Sequence, residues 1–400
     1  MSTFQVPIKR IRAIEEHPNA DAIEFAVIDG YRSIVRKGDF ARGELVAYIP
    51  ESSIVPEAII RRLGLWDAEK GKGKLSGKAG NRVSAIKLRG QISQGICYPL
   101  ISIGDMWLLD LPRDEEVVDE EENEIADAFV LNEGDDVASI LGITKWEPEI
   151  PVSMAGEVWN AGRELTISFD VENIKSFPDI LIPGEPIILT EKLHGTFTGL
   201  TVLPLHIART LKEPGFGKYG NILLWSKGLG AKGLVFKNNE VNAKNLYVRS
   251  TQKLIDALDQ AHDDGEYPYD LDATIPYVVM GETFGPGIQD LTYTGHVDFR
   301  VFAVASMRSD GLFYIPEVGV NQWLAEIGEP VELVPKLYSG PYSPEIVAEH
   351  TTGKTTLGNH MREGVVITTP SNRVDPLIGR VILKSVSEDY LTRKGGTEYN

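Results

Sequence analysis

The chain has 400 residues, of which 42% are hydrophobic, and its formal net charge is −18. This length and composition predict two or three globular domains and exclude a disordered or fibrous protein. The acidic charge argues against a protein that coats nucleic acid through its overall charge, so any nucleic-acid contact must be local.

Cysteine content and hydropathy indicate in which cellular compartment the protein works. Cys97 is the single cysteine, which excludes an intrachain disulfide and a zinc site built on cysteines. No apolar run approaches the roughly 20 residues that span a bilayer, and the N-terminus lacks the basic and then apolar pattern of a signal peptide. We therefore expect a soluble, cytoplasmic monomer with no membrane partner.

The first hundred residues read as short strands separated by turns, which predicts a small β-barrel. A turn-rich stretch, His17 to Asp21, lies between the first two strands. The proline start and apolar spacing of residues 56–63 predict a short helix. The predicted strands cover residues 6–13, 24–29, 31–36, 45–50 and 94–98.

Two charged stretches stand out in this part. Residues 61–89 are rich in lysine and arginine, and they form either a local nucleic-acid surface or a solvated basic loop. Within them, the Gly/Lys-rich residues 70–80 predict a flexible loop. Residues 114–127 are densely acidic, and their mutual repulsion predicts an exposed insertion.

The domain boundary is predicted after a short helix at residues 135–141, which Gly142 would end. We assign residues 1–150 to an N-terminal domain, 151–168 to a linker and 169–400 to a second domain. The second domain combines a helix at residues 251–261 with several strands, which predicts an α+β fold with mainly antiparallel sheets. Those strands cover residues 186–190, 198–203, 222–226, 277–282, 298–305, 364–369 and 380–385.

Lys192 is the strongest candidate for a reactive residue. A lysine attacks phosphorus only when neutral, so its pKa must fall from about 10.4 through desolvation or nearby positive charge. Lys192 follows an apolar strand and precedes Gly195, where the backbone can approach a ligand closely. Without further context, an ordinary surface lysine would be the better explanation.

The segment Glu191-Lys192-Leu193-His194-Gly195-Thr196 resembles motif I of the covalent nucleotidyltransferases, the superfamily of polynucleotide ligases and mRNA capping enzymes. The superfamily pattern is lysine-x-aspartate-glycine, and His194 stands in place of the aspartate. The form with histidine and threonine is similar to the RNA ligase 2-like family and unlike typical DNA ligases.

Further segments resemble the companion motifs in the required order, so the resemblance extends from about residue 170 to residue 391. They are Ser226-Lys227-Gly228 for motif Ia, Gly281 to Gly285 for motif III, Phe299 to Phe302 for motif IIIa, Arg362 to Val366 for motif IV, and Val381 to Lys384 for motif V. Residues 169–175 resemble the segment that leads into motif I.

The resemblance implies a role for each matching residue. Lys192 would be the nucleophile, and Lys384 would contact the α-phosphate of ATP and add positive field. Glu363 and Glu282 would hold Mg²⁺ or Mn²⁺, since these ions prefer oxygen ligands. The residues implied in nucleotide binding are Glu191, Leu193, His194, Gly195, Thr196, Asn173, Lys227, Glu282, Phe302 and Lys384.

Two of these roles also follow from chemistry. Glu282 at a strand end can accept hydrogen bonds from both ribose hydroxyls. Phe302 can stack on adenine, with Phe299 as the second candidate and an ordinary core position as the alternative for either.

The sequence departs from the family pattern at two positions. Motif V commonly has a second lysine where Ile382 stands, and Arg380 is the candidate to supply the missing charge. Motif Ia commonly has arginine where Lys227 stands, and a lysine lacks the bidentate geometry of a guanidinium group.

The first hundred residues, with the segment Lys87 to Gly95, resemble the OB module that one branch of RNA ligases carries before the catalytic domain. Only nine residues follow Leu391, so we expect no C-terminal helical domain.

We therefore predict an ATP-dependent RNA ligase that acts in RNA repair. It would join 3′-hydroxyl and 5′-phosphate ends, including nicked duplexes with an RNA 3′-hydroxyl end. The alternatives are a DNA ligase, a capping guanylyltransferase and a non-catalytic OB-type RNA-binding adaptor.

Overall fold

The computed structural model describes residues 4–103, 106–109, 130–265, 269, 271–293 and 295–397. The chain divides into two compact units. The N-terminal unit comprises residues 2–147 and 174–178, and the C-terminal unit comprises residues 148–173 and 179–400. The predicted acidic insertion at residues 114–127 lies outside the described residues.

The N-terminal unit is built from short strands and one short helix, α1 (Glu57–Arg62). Its strands are β1 (Ile8–Arg10), β2 (Ala13–Glu16), β3 (Ile23–Ile28), β4 (Tyr31–Arg36), β5 (Leu45–Ile49), β6 (Ser53–Ile54), β7 (Trp66–Asp67), β8 (Lys72–Gly73), β9 (Ile86–Leu88), β10 (Gln91–Ser93), β11 (Ile96–Ile103), β12 (Met106–Leu109) and β13 (Thr144–Lys145).

Two antiparallel sheets organise this unit, one with strand order β1-β5-β11-β12 and one with order β2-β3-β4. The predicted first strand at residues 6–13 is divided between them. Its break lies at Ile11 and Arg12, whose N–H groups bond to Glu44 on one side and to Val27 on the other. The chain thus passes from one sheet to the next at a fully buried residue, Ile11, as expected of a barrel wall.

Two local predictions for this unit are wrong. Residues 135–141 form a single turn in which the Leu141 N–H bonds to the Val137 carbonyl, and no helix. The Val137 N–H donates a hydrogen bond to the Val6 carbonyl. Residues 70–80 were predicted as a flexible loop, but they contain β8, which pairs with β7.

The C-terminal unit holds the longer elements. Its strands are β14 (Val158–Asn160), β15 (Glu172–Asn173), β16 (Pro186–Lys192), β17 (Thr196–Val202), β18 (Ile222–Ser226), β19 (Leu234–Phe236), β20 (Tyr277–Phe284), β21 (Asp298–Arg308), β22 (Gly311–Tyr314), β23 (Glu332–Leu333), β24 (Lys336–Pro341), β25 (Gly364–Thr368), β26 (Val374–Asp375), β27 (Gly379–Arg380) and β28 (Ile382–Val386). Its helices are α2 (Leu205–Ala208), α3 (Lys227–Gly230), α4 (Leu246–Asp263), α5 (Glu317–Glu326), α6 (Pro344–Thr351) and α7 (Glu388–Leu391).

Two sheets form the framework of this unit. One has the order β15-β28-β25-β16-β24, and the other has the order β18-β17-β20-β21-β22 with β23 beside β21. All pairs in both sheets are antiparallel except β15 with β28 and β21 with β23. The predicted α+β class with mainly antiparallel sheets is confirmed.

Helix α4 covers one face of the second sheet. The side chain of Asn245 caps its N-terminus by accepting a hydrogen bond from the Tyr247 N–H. Leu254, Ile255 and Leu258 recur at helical spacing and are buried. The helix is longer than the predicted 251–261 because its first turn also packs into the core.

The segment predicted as a linker, residues 151–168, carries structure of its own. Within it, β14 pairs with β19, and residues 163–165 form a turn of 3-10 helix. Among the described residues, no helix is long and apolar enough to cross a membrane.

Candidate active site

Lys192 lies where the chain passes from the first sheet of the C-terminal unit to the second. It is the last residue of β16, and three residues separate it from the start of β17. Gly195 makes this short crossing possible, because a Cβ there would lie 2.3 Å from the carbonyl oxygen of Thr283. The amine of Lys192 is therefore fixed at the junction of the two sheets.

Glu363 is the acidic partner of Lys192. Its Oε1 lies 2.7 Å from the Lys192 Nζ, and its side chain is 9% exposed. The register of β16 with β25 sets this contact, since Lys192 pairs with Gly364. The other carboxylate oxygen, Oε2, is buried and has no hydrogen-bond partner among the described residues.

Three cationic or acidic side chains extend the charge pattern around Lys192. Lys384 lies on β28 next to β25, and burial lowers its pKa, with the positive charges of Lys192 and Lys227 acting in the same direction. Lys227 Nζ lies 3.0 Å from Asp170 Oδ1. Burial acts to raise the pKa of the Asp170 carboxyl, but Lys227 and Lys384 outweigh it and lower that pKa.

Glu282 faces the same site from the second sheet. It lies on β20 opposite Phe197 of β17. Burial raises the pKa of Glu282 to about 8, and the nearby Glu363 charge adds to this effect, while Lys192 opposes it. Glu282 is consequently protonated in much of the protein at neutral pH and can then donate a hydrogen bond.

Aromatic rings form one wall of the site. The ring centroids of Phe169 and Phe302 are 5.3 Å apart, and those of Phe169 and Phe197 are 5.1 Å apart. Phe302 borders the open space, whereas Phe299 is fully buried and packs beneath Gly281. Of the two candidates for stacking on adenine, the structure brings only Phe302 to the site.

These groups surround a cavity of about 550 Å³. This volume lies in the range of ligand pockets, which is about 300–1,000 Å³. Its lining combines cationic and acidic groups with apolar side chains. The lining includes Phe169, Asp170, Ile188, Thr190, Glu191, Lys192, Leu193, Gly195, Thr196, Lys227, Glu282, Val301, Phe302, Ile315, Glu317, Leu333, Lys336, Val366, Asn372, Arg380, Ile382 and Lys384.

Three further predicted site residues, Glu191, Asn173 and His194, are held by contacts within the protein. The Glu191 carboxylate accepts hydrogen bonds from the N–H and hydroxyl of Thr356, at 2.9 and 2.8 Å. Asn173 pairs with Lys384 through the β15–β28 ladder. His194 is 4% exposed, and its ring is directed toward Asp290 and Tyr390.

Ile382 and Arg380 occupy the positions at which the sequence departs from the family pattern, and both border the cavity. The Arg380 guanidinium lies 3.9 Å from the centroid of the Tyr314 ring, and its Nε donates to Asn372. One of its terminal nitrogens, Nη1, is buried without a hydrogen-bond partner among the described residues. The cavity wall near Ile382 therefore has a cation, Arg380. Arg380 lies on β27, however, and not on β28, where the family commonly has the second lysine.

The arrangement fits a divalent cation only in part. No group of three or more His, Cys, Asp or Glu side chains is placed to hold a metal among the residues that the structure describes. The unpartnered Oε2 of Glu363 is a suitable hard oxygen donor. A bound Mg²⁺ or Mn²⁺ would therefore need oxygen ligands from water or phosphate besides the protein.

The lysine- and arginine-rich residues 61–89 of the N-terminal unit include several cations with partners in the same unit. Arg61 bonds to Glu57, Lys70 bonds to Asp67, and the Arg82 guanidinium lies 4.1 Å from the centroid of the Trp146 ring. Lys87 and Arg89 are exposed on the hairpin that β9 and β10 form. Lys72, Lys74 and Lys78 are exposed as well, so the cations accessible to a polyanion extend beyond this hairpin.

Sequence reasoning missed several polar residues around Lys192, namely Thr356, Asp290, Tyr293 and Arg393. They lie 96 to 199 positions from their partners Glu191 and His194 along the chain. None belongs to the motifs quoted above, and only the folded chain brings them together.

Comparison with known proteins follows the same division into two parts. A family model described as RNA ligase matches residues 185–386, and one described as an OB-fold domain matches residues 5–100. No curated protein matches the chain.

Solved structures of the Naegleria gruberi RNA ligase resemble the chain along almost its whole length. A variant with ATP and Mn is 23% identical with a TM-score of 0.67, covering 96% of this chain and 97% of that chain. The protein with PPi is 22% identical with a TM-score of 0.68, covering 97% and 98%. At this identity the likeness concerns the fold.

Proposed function

Because this chain belongs to the RNA ligase family, we propose that it joins RNA 3′-hydroxyl and 5′-phosphate ends in an ATP-dependent reaction through a lysyl-AMP adduct on Lys192. The observation that carries the proposal is the position of Lys192. Its amine lies 2.7 Å from Glu363, and Lys227, Glu282 and Lys384 line the same end of a cavity large enough for a nucleotide.

In the first step the neutral amine of Lys192 attacks the α-phosphorus of ATP. A nitrogen–phosphorus bond forms, the bond from the α-phosphorus to the bridging oxygen breaks, and pyrophosphate leaves in line. The nitrogen releases one proton to solvent in this step. Lys384 and Lys227 stabilise the negative charge on the phosphate oxygens, and Glu363 holds the amine in position.

The next two steps transfer and then release AMP. An oxygen of the RNA 5′-phosphate attacks the adenylyl phosphorus, and Lys192 leaves as the free amine. The 3′-hydroxyl oxygen of the other RNA end then attacks the 5′-phosphorus, loses its proton and displaces AMP. Both are in-line displacements, so the residues contribute mainly positioning and charge stabilisation.

The cavity walls support an assignment of the nucleotide's parts. Phe302 would stack on adenine, and Glu282 would bond to the ribose hydroxyls. The likeness to a fold solved with ATP and Mn, and with AMP and Mn, in the Naegleria gruberi protein supports ATP as the nucleotide.

A divalent cation completes the proposal. Glu363 would hold Mg²⁺ or Mn²⁺ through its Oε2, with Glu282 as the second carboxylate on the opposite sheet. When bound, the ion would neutralise phosphate charge and so favour attack by the amine.

We also propose that the N-terminal unit reads the RNA. Its match to an OB-fold domain and the exposed Lys87 and Arg89 support this role, since OB barrels bind single strands through basic grooves and stacking. The organisation we propose is a nucleic-acid-binding domain over residues 1–150, a connection over 151–168 and an adenylyltransferase domain over 169–400. The reaction would serve RNA repair on substrates that include nicked duplexes, in a cytoplasmic monomer.

Labelled ATP with Mg²⁺ or Mn²⁺ tests the proposal. We expect a covalent AMP adduct on the wild-type chain, no adduct on Lys192→Ala and an unchanged adduct on Lys218→Ala, whose lysine is exposed and paired with Asp263. Labelling of Lys192→Ala would overturn the assignment.

Substrate comparisons distinguish the alternatives. GTP in place of ATP would indicate a capping enzyme, and preference for a DNA 3′-hydroxyl end would indicate a DNA ligase. Tight RNA binding by a chain that forms no adduct with either metal would indicate the non-catalytic adaptor.

A further inference from the structure

The turn that follows Lys192 is held by two segments that lie far from it in sequence. The His194 N–H donates to the Tyr293 hydroxyl at 2.5 Å, and the Gly195 carbonyl accepts from the Gln289 side chain at 3.1 Å. The His194 ring is held in addition by residues close to the C-terminus. Backbone and side chain are therefore fixed together at the position two residues after the nucleophile.

Both ring nitrogens of His194 have partners. Nε2 lies 2.8 Å from Asp290 Oδ1, and Nδ1 lies 2.7 Å from the Tyr390 hydroxyl. Arg393 Nη2 also lies 3.2 Å from Nε2, but the Asp290 contact is shorter. A carboxylate only accepts hydrogen bonds, so this shorter contact assigns the proton to Nε2. In the neutral ring, Nδ1 then accepts from Tyr390, and this defines one orientation of the imidazole.

Asp290 is itself held by the C-terminal segment. Its two carboxylate oxygens accept a bidentate pair from Arg393, with both distances at 2.9 Å, and the N–H of Thr397 donates to Oδ1. Burial acts to raise the pKa of the Asp290 carboxyl, but hydrogen bonds from His194 and Arg393 outweigh it and hold that pKa far below its usual range. Asp290 is therefore a permanent acceptor for the histidine.

We propose that Asp290, Tyr390 and Arg393 are positioning residues for adenylylation, which act through His194 on the turn that carries Lys192. We call them the C-terminal clamp. This inference rests on the proposed function and extends it to residues outside the nucleotide motifs. The clamp does not touch the cavity, so none of the three is a catalytic residue.

The link from the clamp to the reacting amine is short. His194 Nδ1 lies 3.9 Å from Glu363 Oε2, and Glu363 Oε1 lies 2.7 Å from Lys192 Nζ. A shift of the ring would alter both the backbone that carries Lys192 and the packing of its acidic partner. In-line attack requires close alignment, and a displacement of about 1 Å can reduce a rate about 100-fold.

Stability alone is a weak reason for this arrangement. Arg393 and Asp290 are 10% and 21% exposed, and burying such a pair costs desolvation that apolar residues of similar size avoid. What the pair provides is a single, directional hydrogen-bonded position for the ring. Aspartate, the residue of the superfamily pattern at this position, is too short to bridge Asp290 and Tyr390.

Single-turnover adenylylation of Lys192 tests the clamp, with variants Asp290→Asn, Arg393→Met and Tyr390→Phe in the full chain. For Asp290→Asn and Arg393→Met we expect the rate constant at saturating ATP to fall about 10- to 100-fold, by analogy with groups that orient metal ligands. The ATP concentration at half-maximal rate should change less than about threefold, since the clamp does not line the cavity.

Glu185→Gln is the matched control. It breaks another bidentate pair in the same unit, with Arg373 Nε and Nη2 each 2.9 Å from Glu185, and it lies outside the cavity lining. Its adenylylation rate should equal that of the wild type. An equal fall in Glu185→Gln would reduce the clamp to a general contribution to stability and overturn the proposal.

A double-mutant cycle with His194→Asn identifies the route. If the clamp acts through His194, Asp290→Asn will have little further effect on the rate in that background. Full additivity would overturn the proposal, as would a wild-type rate for Asp290→Asn. A histidine ring spectrum, assigned by its loss in His194→Asn, should show the proton on Nε2, and a proton on Nδ1 alone would contradict the clamp geometry.

The two levels of inference fail differently. A wild-type chain that forms no AMP adduct would overturn the proposed function. A wild-type adduct with no dependence on Asp290 would overturn the clamp alone.

Discussion

The Nζ atom of Lys192 and the Oε1 atom of Glu363 lie 2.7 Å apart at matching ends of two paired strands, β16 and β25. The pair places a carboxylate beside the proposed nucleophile while leaving the second carboxylate oxygen without a partner among the described residues. One side chain can thus hold the amine and offer an oxygen to a cation.

Glu363→Gln keeps the shape of this side chain and removes its charge. We expect the rate of lysyl-AMP formation to fall about 10- to 100-fold, and the metal concentration at half-maximal rate to rise, because an amide oxygen is a weaker ligand for Mg²⁺. A titration of adenylylation against Mg²⁺ measures both. A reduced rate with an unchanged metal requirement would limit Glu363 to holding the amine.

Lys384→Met removes a buried positive charge at the cavity. We expect a fall of about 100- to 1,000-fold in the rate of adenylylation, comparable to the loss of one oxyanion donor. The thermal unfolding midpoint should not fall, because burial already lowers the pKa of Lys384 and disfavours its charge. If Lys384→Met lost adenylylation only because its thermal unfolding midpoint fell below the assay temperature, a role in charge stabilisation would be contradicted.

Glu282 gives a prediction in which the sign depends on pH. Its pKa is raised from 4.5 to about 8, so between these values the folded protein keeps a proton that the unfolded chain has lost. The contribution of Glu282 to the free energy of unfolding therefore falls as the pH rises from 4.5 to about 8. Glu282→Gln should match the wild-type unfolding midpoint near pH 4.5 and exceed it at pH 9, and the reverse order would refute the buried, protonated state.

Phe302 and Phe299 are expected to respond in opposite ways. Phe302→Ala should raise the KM for ATP about 5- to 150-fold, because a stacked base contributes about 1–3 kcal/mol. Phe299→Ala should instead destabilise the fold by about 3–5 kcal/mol, as expected for a fully buried ring. ATP kinetics and denaturant unfolding on both variants distinguish the roles.

Arg380 lies two positions before Ile382, where the family commonly has a lysine. We expect Arg380→Met to raise the KM for ATP more than it lowers kcat, since the guanidinium borders the cavity but is held by Asn372 and Tyr314. Steady-state kinetics measure the division between the two constants. An unchanged KM would show that Arg380 does not supply the missing charge.

The strands that carry Lys192, Glu282 and Glu363 could be predicted from the sequence because each is an apolar run of ordinary strand length. The helix predicted at residues 135–141 shows the limit of such patterns. Val137, Ala138 and Leu141 are buried with helical spacing, yet the segment is short and its backbone bonds to Val6.

The surroundings of His194 were beyond prediction for a different reason. Its identity marked the motif, but its partners Asp290 and Arg393 are brought to it by long-range packing, and they carry no local pattern of their own. Local periodicity predicts elements, whereas the orientation of a buried polar ring depends on which segments the whole fold brings together.

The crossing at residues 193–195 has a mechanical consequence. It joins the two sheets whose inner surfaces line the cavity, as residues 334–335 also do between β23 and β24. The two crossings lie side by side, since the Glu191 N–H bonds to the Pro335 carbonyl, so a motion that separated the sheets would bend at both of them. Points far from a pivot travel furthest, and the Lys192 backbone is next to it. Entry and exit can thus widen the cavity away from these crossings while the amine of Lys192 moves little.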